Sequence, residues 1–286
     1  VALAGLANCG GPAPTPLQAR FLREEDRALR YHATGELPRA LQAFQASLAT
    51  AELLDDRPAI MAQSLQIGFV ALTLAESALA ERYLRRALAA ATALGDGTGS
   101  LQARLGLAQV QLLRGQFEAA RDAFRREAAE ARERSDRPVE LAALNGWGLA
   151  EKGAGRPAEG RRLLREAEAL ARAHGDRRLL AATLANQADL ALRAGDIGRA
   201  ERALAEAIDL DRATENLPGL AHDLGLKARA SAERGDAPAR AGILPTSPGG
   251  GAPYRRAGSG RALRAGNRSP ELRIRCAFAT GTSKIE

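Results

Sequence analysis

The side chains that could carry out chemistry in this 286-residue chain are few and far apart. The histidines His32, His174 and His222 lie in different segments, and the cysteines Cys9 and Cys276 lie near opposite ends. Two such cysteines favour neither a disulfide framework nor a zinc cluster. No HExxH, GxSxG or phosphate-loop spacing occurs, and we expect the acidic residues to be scattered along exposed helix faces. The sequence therefore predicts no catalytic, cofactor or metal site and a protein that is not an enzyme.

A 40-residue repeat organises most of the chain. Its columns hold small residues, large apolar residues four positions later, turn residues and helix N-caps. The small column is Ala40, Ala80, Ala120, Gly160 and Ala200, and the large column is Phe44, Leu84, Phe124, Leu164 and Leu204. The turn column is Gly35, Ala75, Gly115, Gly155, Gly195 and Gly235, and the cap column is Asp56, Asp96, Asp136, Asp176 and Asn216. A fixed period of this size indicates stacked units that share a core.

Each repeat predicts a pair of helices. In one unit, Leu101 and Leu105 lie one helical turn apart on a single face, Gly115 ends that helix, and Phe117 opens the apolar face of a second helix. The composition, 45% hydrophobic but only 3% aromatic, is typical of a helical array. We therefore expect eleven helices over residues 17–236 and no sheet.

The order of small residue, turn glycine, alanine and large apolar residue resembles the tetratricopeptide repeat (TPR), as in Ala108, Gly115, Ala120 and Phe124. The 40-residue period is most similar to the long-repeat branch of that family, seen in G-protein-regulator and kinesin-light-chain-like arrays. The resemblance covers about residues 17–240. It implies an all-α, right-handed α-solenoid of antiparallel helix pairs, with five full repeats and a truncated sixth. It also implies a role in binding proteins or peptides.

By the same resemblance, the first helix of each pair lines a concave groove that binds the partner. The residues that map to this groove are Gln66, Phe69, Gln102, Gln109, Asn145, Lys152, Asn186, Asp189, Arg193, His222 and Arg229. Polar amides there can hydrogen-bond a peptide backbone, and the basic residues could meet a carboxylate. Asn145 and Asn186 stand out because asparagine is a poor residue for a helix interior. Each residue taken singly is equally well explained as ordinary solvated surface.

The net charge of +7 is concentrated at the C-terminal end. Residues 240–286 hold nine basic residues and two acidic ones, so the rest of the chain is neutral. The repeat stops there, because Arg240 replaces the small residue and residues 243–251 are rich in proline and glycine. Residues 241–286 are therefore either a genuine disordered basic tail that binds nucleic acid or an acidic surface, or the product of a shifted reading frame. The solenoid body itself is not expected to bind nucleic acid.

Residues 1–16 resemble the end of a bacterial lipoprotein signal. An apolar stretch leads to Leu6-Ala7-Asn8-Cys9, in the place of a lipobox, and a proline-rich spacer follows. A lipid on Cys9 would anchor the solenoid to a membrane. The alternative is an unstructured N-terminus in which Cys9 has no role.

Three roles remain open for this chain. The first is a scaffold or adaptor that binds a protein or peptide, anchored on the periplasmic face of a bacterial cell envelope. The second is a cytoplasmic TPR-type signalling regulator, and a third possibility is binding of nucleic acid or an acidic surface through the tail. No cofactor is expected in any of them.

Overall fold

The chain folds into a row of helix pairs. The structure, a computed structural model, describes residues 13–235, which form eleven α-helices and no strand. The helices are α1 (Pro16–Ala33), α2 (Leu37–Leu53), α3 (Arg57–Thr73), α4 (Ser77–Leu94), α5 (Gly97–Leu113), α6 (Phe117–Glu133), α7 (Arg137–Gly153), α8 (Pro157–His174), α9 (Arg177–Arg193), α10 (Ile197–Ala213) and α11 (Leu217–Arg234). We call the odd-numbered helices A helices and the even-numbered ones B helices. The predicted helix count is confirmed, while the predictions for Cys9 and for residues 241–286 lie outside the described residues.

The cap column begins every A helix after α1. The side chain of Asp56 accepts a hydrogen bond from the backbone N–H of Ala59, three residues into α3, and the same bond recurs in α5, α7, α9 and α11. Such a bond satisfies one of the amides that the first helical turn leaves unpaired. Each cap therefore fixes where one helix pair ends and the next begins.

The turn column has the backbone conformation that the repeat requires. Gly115 has φ of 72°, and Ala75, the one alanine in that column, has φ of 60°. Alanine reaches this left-handed region only at some cost. The repeat therefore imposes the turn geometry even where glycine is missing.

The small and large columns pack the pair together. Ala120 and Phe124 are fully buried, and one hydrophobic cluster joins α5, α6 and the following A helix α7. A Cβ atom built on Gly160 would lie only 2.7 Å from the carbonyl oxygen of Gly148 in α7, so this pair approaches too closely for a larger side chain. The core thus continues from one unit into the next, as stacked repeats require.

The A and B helices form two rows with different spacing. From α3 to α11, each A helix lies directly against the next A helix. Within residues 13–235, consecutive B helices have no comparable contact and are bridged instead by long side chains, such as Arg132 to Glu166 (2.9 Å) and Arg172 to Glu206 (2.7 Å). The A row is therefore the tighter one and forms the concave side. No helix in this part of the chain combines the length and apolar character needed to cross a bilayer.

Candidate functional site

Four of the predicted groove residues meet on the concave side. The Asp189 carboxylate in α9 accepts a hydrogen bond from Lys152 Nζ in α7 at 2.7 Å. It also forms ion pairs with Arg229 Nη1 in α11 at 3.0 Å and with Arg193 Nε at 3.4 Å. Because the three helices are consecutive A helices, the cluster lies where the inner row faces the groove. We call Lys152, Asp189, Arg193 and Arg229 the charge cluster.

The charge cluster is partly sheltered from solvent. Only 16% of the Asp189 side chain is exposed, against 40% for Arg193 and 38% for Arg229. Burial alone would raise the pKa of Asp189, but the charges of Lys152, Arg193 and Arg229 more than offset it and hold the pKa at about 2. The carboxylate is therefore ionised at any physiological pH and orders three cations from three repeats around itself.

Three other predicted residues are buried and bonded inside the array. Asn145 and Asn186 are 7% and 6% exposed, and the Asn145 amide donates to the Thr183 hydroxyl at 2.8 Å. The Asn186 amide makes a longer contact of 3.5 Å with the Asn145 side-chain oxygen. Gln109 is also buried, at 5% exposure. The Asn145 and Asn186 amides connect the A helices α7 and α9, and contact of all three residues with a partner stays a prediction.

The remaining predicted residues are half-buried. Gln66, Gln102 and His222 lie along the A helices α3, α5 and α11, outside the charge cluster. Phe69 packs against the hydrophobic cluster of α3 to α5, where a Cβ atom on Gly106 would lie 3.1 Å from its ring. The structure therefore brings together the charge cluster and the pair Asn145 and Asn186, and it leaves the other predicted residues spread along the A helices.

Sequence reasoning was wrong about the acidic residues. Five carboxylates that we expected on exposed faces are buried, namely Glu127, Glu140, Glu151, Asp211 and Asp223. Three of them have arginine partners, such as Arg132 for Glu140 at 2.6 Å. A buried carboxylate is tolerated when it is paired in this way. Among residues 13–235, no group of three or more histidine, cysteine or acidic side chains is arranged to hold a metal ion.

Comparison with known proteins identifies the fold. No family model and no curated protein matches the chain. Among solved structures it is similar to a Rap protein complexed with competence and sporulation factor, with a TM-score of 0.64 and 14% identity, over 78% of this chain and 70% of that one. It is also similar to the apo form of RapI, with a TM-score of 0.54 and 12% identity, over 76% of this chain and 84% of that one.

A third structure is a putative kinesin light chain with nearly identical TPR-like repeats from Podosopora anserina. Its TM-score is 0.47 at 18% identity, over 68% of this chain and 97% of that one. At such identities a likeness concerns the fold alone. The two Rap structures and the helix pairs described above confirm the predicted all-α, TPR-like solenoid.

Proposed function

We propose that the solenoid is an interaction scaffold whose concave side binds a peptide segment of a partner protein and performs no chemistry. The charge cluster is the observation that carries this proposal. It unites side chains from α7, α9 and α11 on the inner row, and its cations remain partly exposed. The Rap structure, complexed with a factor, offers a fold-level analogy.

The charge cluster and its neighbour Glu233 carry one more positive charge than negative charges. Lys152, Arg193 and Arg229 face Asp189, and Arg229 also pairs with Glu233 at 3.3 Å. Three cations against two carboxylates leave one positive charge unbalanced. A carboxylate of the bound peptide would balance it, since arginine binds carboxylates through charge-assisted hydrogen bonds. We therefore propose that the bound segment carries an acidic group at this point.

The experiment is a binding measurement with matched arginine variants. The probe is the tightest binder selected from a random linear peptide library, labelled for fluorescence anisotropy. Arg193→Ala should weaken its binding at least about tenfold, because hydrogen bonds to charged groups contribute roughly 1.5–3 kcal/mol. Arg165→Ala, at an exposed position of the B helix α8, is the control and should leave the affinity unchanged. Equal affinities for both variants would exclude the charge cluster as the binding site.

We also propose that the scaffold is held on the periplasmic face of a bacterial envelope by a lipid on Cys9. The segment Leu6-Ala7-Asn8-Cys9 and its proline-rich spacer support this anchor. The full-length gene product expressed in bacteria should partition into detergent, and Cys9→Ala should move it into the aqueous phase. Cys276→Ala is the control for loss of a thiol. If all three forms stay aqueous, the anchor is excluded and the role of a cytoplasmic regulator is favoured.

A further inference from the structure

The first and last units of the array touch. Gly35 lies in the turn between α1 and α2, and Pro218 lies in the first turn of α11, more than four repeats later. A Cβ atom built on Gly35 would lie 3.6 Å from Pro218 Cγ and 3.8 Å from Cδ. These are ordinary packing distances. The edge of the first unit that carries the α1–α2 turn therefore packs against the edge of the last unit where α11 begins.

Burial confirms the contact from both sides. Gly35 and Pro218 are half-buried, although their equivalents in the other repeats are exposed. The exposed equivalents of Gly35 are Ala75, Gly115, Gly155, Gly195 and Gly235, and those of Pro218 are Pro58, Thr98, Pro138 and Arg178. Since the repeat itself leaves these positions in solvent, only the meeting of the two edges covers them.

The charge of a residue in α9 acts at the same end of α1. His32, in the last turn of α1, lies close enough to Arg178, in the first turn of α9, for the arginine charge to act on it. Burial lowers the pKa of His32 and the Arg178 charge lowers it further. The Arg178 charge therefore acts on the end of α1, and the turn that follows α1 packs against the first turn of α11. We call this meeting of the two edges the seam.

We infer that the array closes into a ring of one superhelical turn, and that the occupant of its concave side is a short linear peptide with a free end. This inference rests on the proposed function. In an open solenoid a folded domain can reach the inner row from the side. Once the edges meet, the gap between the first and last units is closed at the point of contact, and entry is along the axis. A chain end can pass that way, but a segment held at both ends inside a folded domain cannot.

The ring itself is tested without any ligand. In a chain carrying Cys9→Ser and Cys276→Ser, the pair Gly35→Cys and Pro218→Cys should form an intramolecular disulfide under mild oxidation. The control pair is Gly115→Cys and Pro218→Cys, because Gly115 has the same turn conformation but no contact with Pro218. The first pair should react at least about tenfold faster, since only cysteines with Cα atoms within about 7 Å bridge without backbone movement. Equal rates would overturn the ring.

The inference about the occupant is tested by placing a bulky side chain where the two edges meet. Pro218→Trp should push the edges apart and increase the radius of gyration in small-angle scattering, whereas Pro138→Trp, at the exposed equivalent position, should not. The probe is the library peptide used above, either free or inserted into a surface loop of a folded carrier protein. The unaltered ring should bind the free form at least about tenfold more tightly, and the Pro218→Trp variant should bind both forms alike.

Equal binding of the free and inserted probes by the unaltered ring would overturn the inference about the occupant. If no library peptide binds at all, the proposed function fails and the occupant inference fails with it. The disulfide rates still decide whether the ring exists, so the two failures are told apart.

Discussion

The side-chain amide of Asn145 in α7 donates a hydrogen bond of 2.8 Å to the hydroxyl of Thr183 in α9. Thr183 is fully buried, and its hydroxyl donates a hydrogen bond to the carbonyl oxygen of Leu179 at 2.8 Å. The bond therefore links two consecutive repeats through a chain of polar groups inside an otherwise apolar interface. Such a network favours one alignment of the two A helices over others.

Removing the Asn145 amide should weaken the joint between these repeats. We expect Asn145→Ala to lower the free energy of unfolding by roughly 1–3 kcal/mol, because it leaves buried polar partners without their hydrogen bond. Denaturant unfolding followed by circular dichroism measures this. The double variant Asn145→Ala with Thr183→Val should lose less free energy of unfolding than the two single variants lose in sum. Additive losses would show that the two side chains do not act together.

The sequence predicted the architecture because the same residue pattern recurs in each repeat. The caps, turns and small residues act within one unit, so a local pattern is enough to locate them. Even Ala75, which breaks the glycine pattern, adopts the expected turn with φ of 60°. The fold was predictable from residues that face their own helix pair.

The candidate site was only partly predictable. The repeat placed Lys152, Asp189 and Arg229 on one side of the array, but the columns say nothing about which side chains pair. Thr183 was missed because a threonine in a helix gives no sign of a partner 38 residues away. The seam between Gly35 and Pro218 was invisible, since it depends on small rotations that accumulate over five units.

A charge in the small column should unfold more than one unit. Ala120 is fully buried against α5 and α7, so Ala120→Glu should cost several kcal/mol. For a domain of this size about 1 kcal/mol shifts the melting temperature by roughly 2–4 °C. The neighbouring Ala119 is exposed, and Ala119→Glu is the control. A shift below about 2 °C for Ala120→Glu in a thermal melt would contradict the assignment of this column.

Any binding of nucleic acid should depend on residues 241–286. The excess positive charge of the chain lies in this segment and Arg240, so deleting residues 241–286 should abolish such binding. With the segment present, affinity should fall steeply with salt, as release of counterions requires. Gel-shift titrations at several salt concentrations measure both effects. Binding that persists after the deletion would assign nucleic-acid recognition to the solenoid body.

The charge cluster should make stability fall in acid. The pKa of Asp189 is lowered from 3.8 to about 2, so the folded state favours the ionised form. Its contribution, roughly 2 kcal/mol, is present above pH 4 and is lost as the pH falls from about 4 to about 2. Asp189→Asn should remove this part of the acid dependence, while Asp209→Asn, at a largely exposed position, should not. Parallel acid melts for Asp189→Asn and the unaltered protein would contradict the prediction.

Asp223 in α11 should have the opposite effect on the pH dependence of stability. Burial raises its pKa from 3.8 to about 8, and its side chain is fully covered between the last repeats. The unfolded chain loses this proton near pH 4 while the folded chain keeps it up to about pH 8, so the stability that the group provides is lost as the pH rises between those values.

Asp223→Asn should remove the charge that the folded state disfavours while keeping a similar shape. Relative to the unaltered protein, its melting temperature should rise progressively between pH 4 and pH 8 and the difference should level off above pH 8. Thermal melts across this range, with Asp209→Asn as the exposed control, measure the effect. A constant difference between Asp223→Asn and the unaltered protein would mean that Asp223 is ionised in the folded array throughout, and that the last helix tolerates a buried charge.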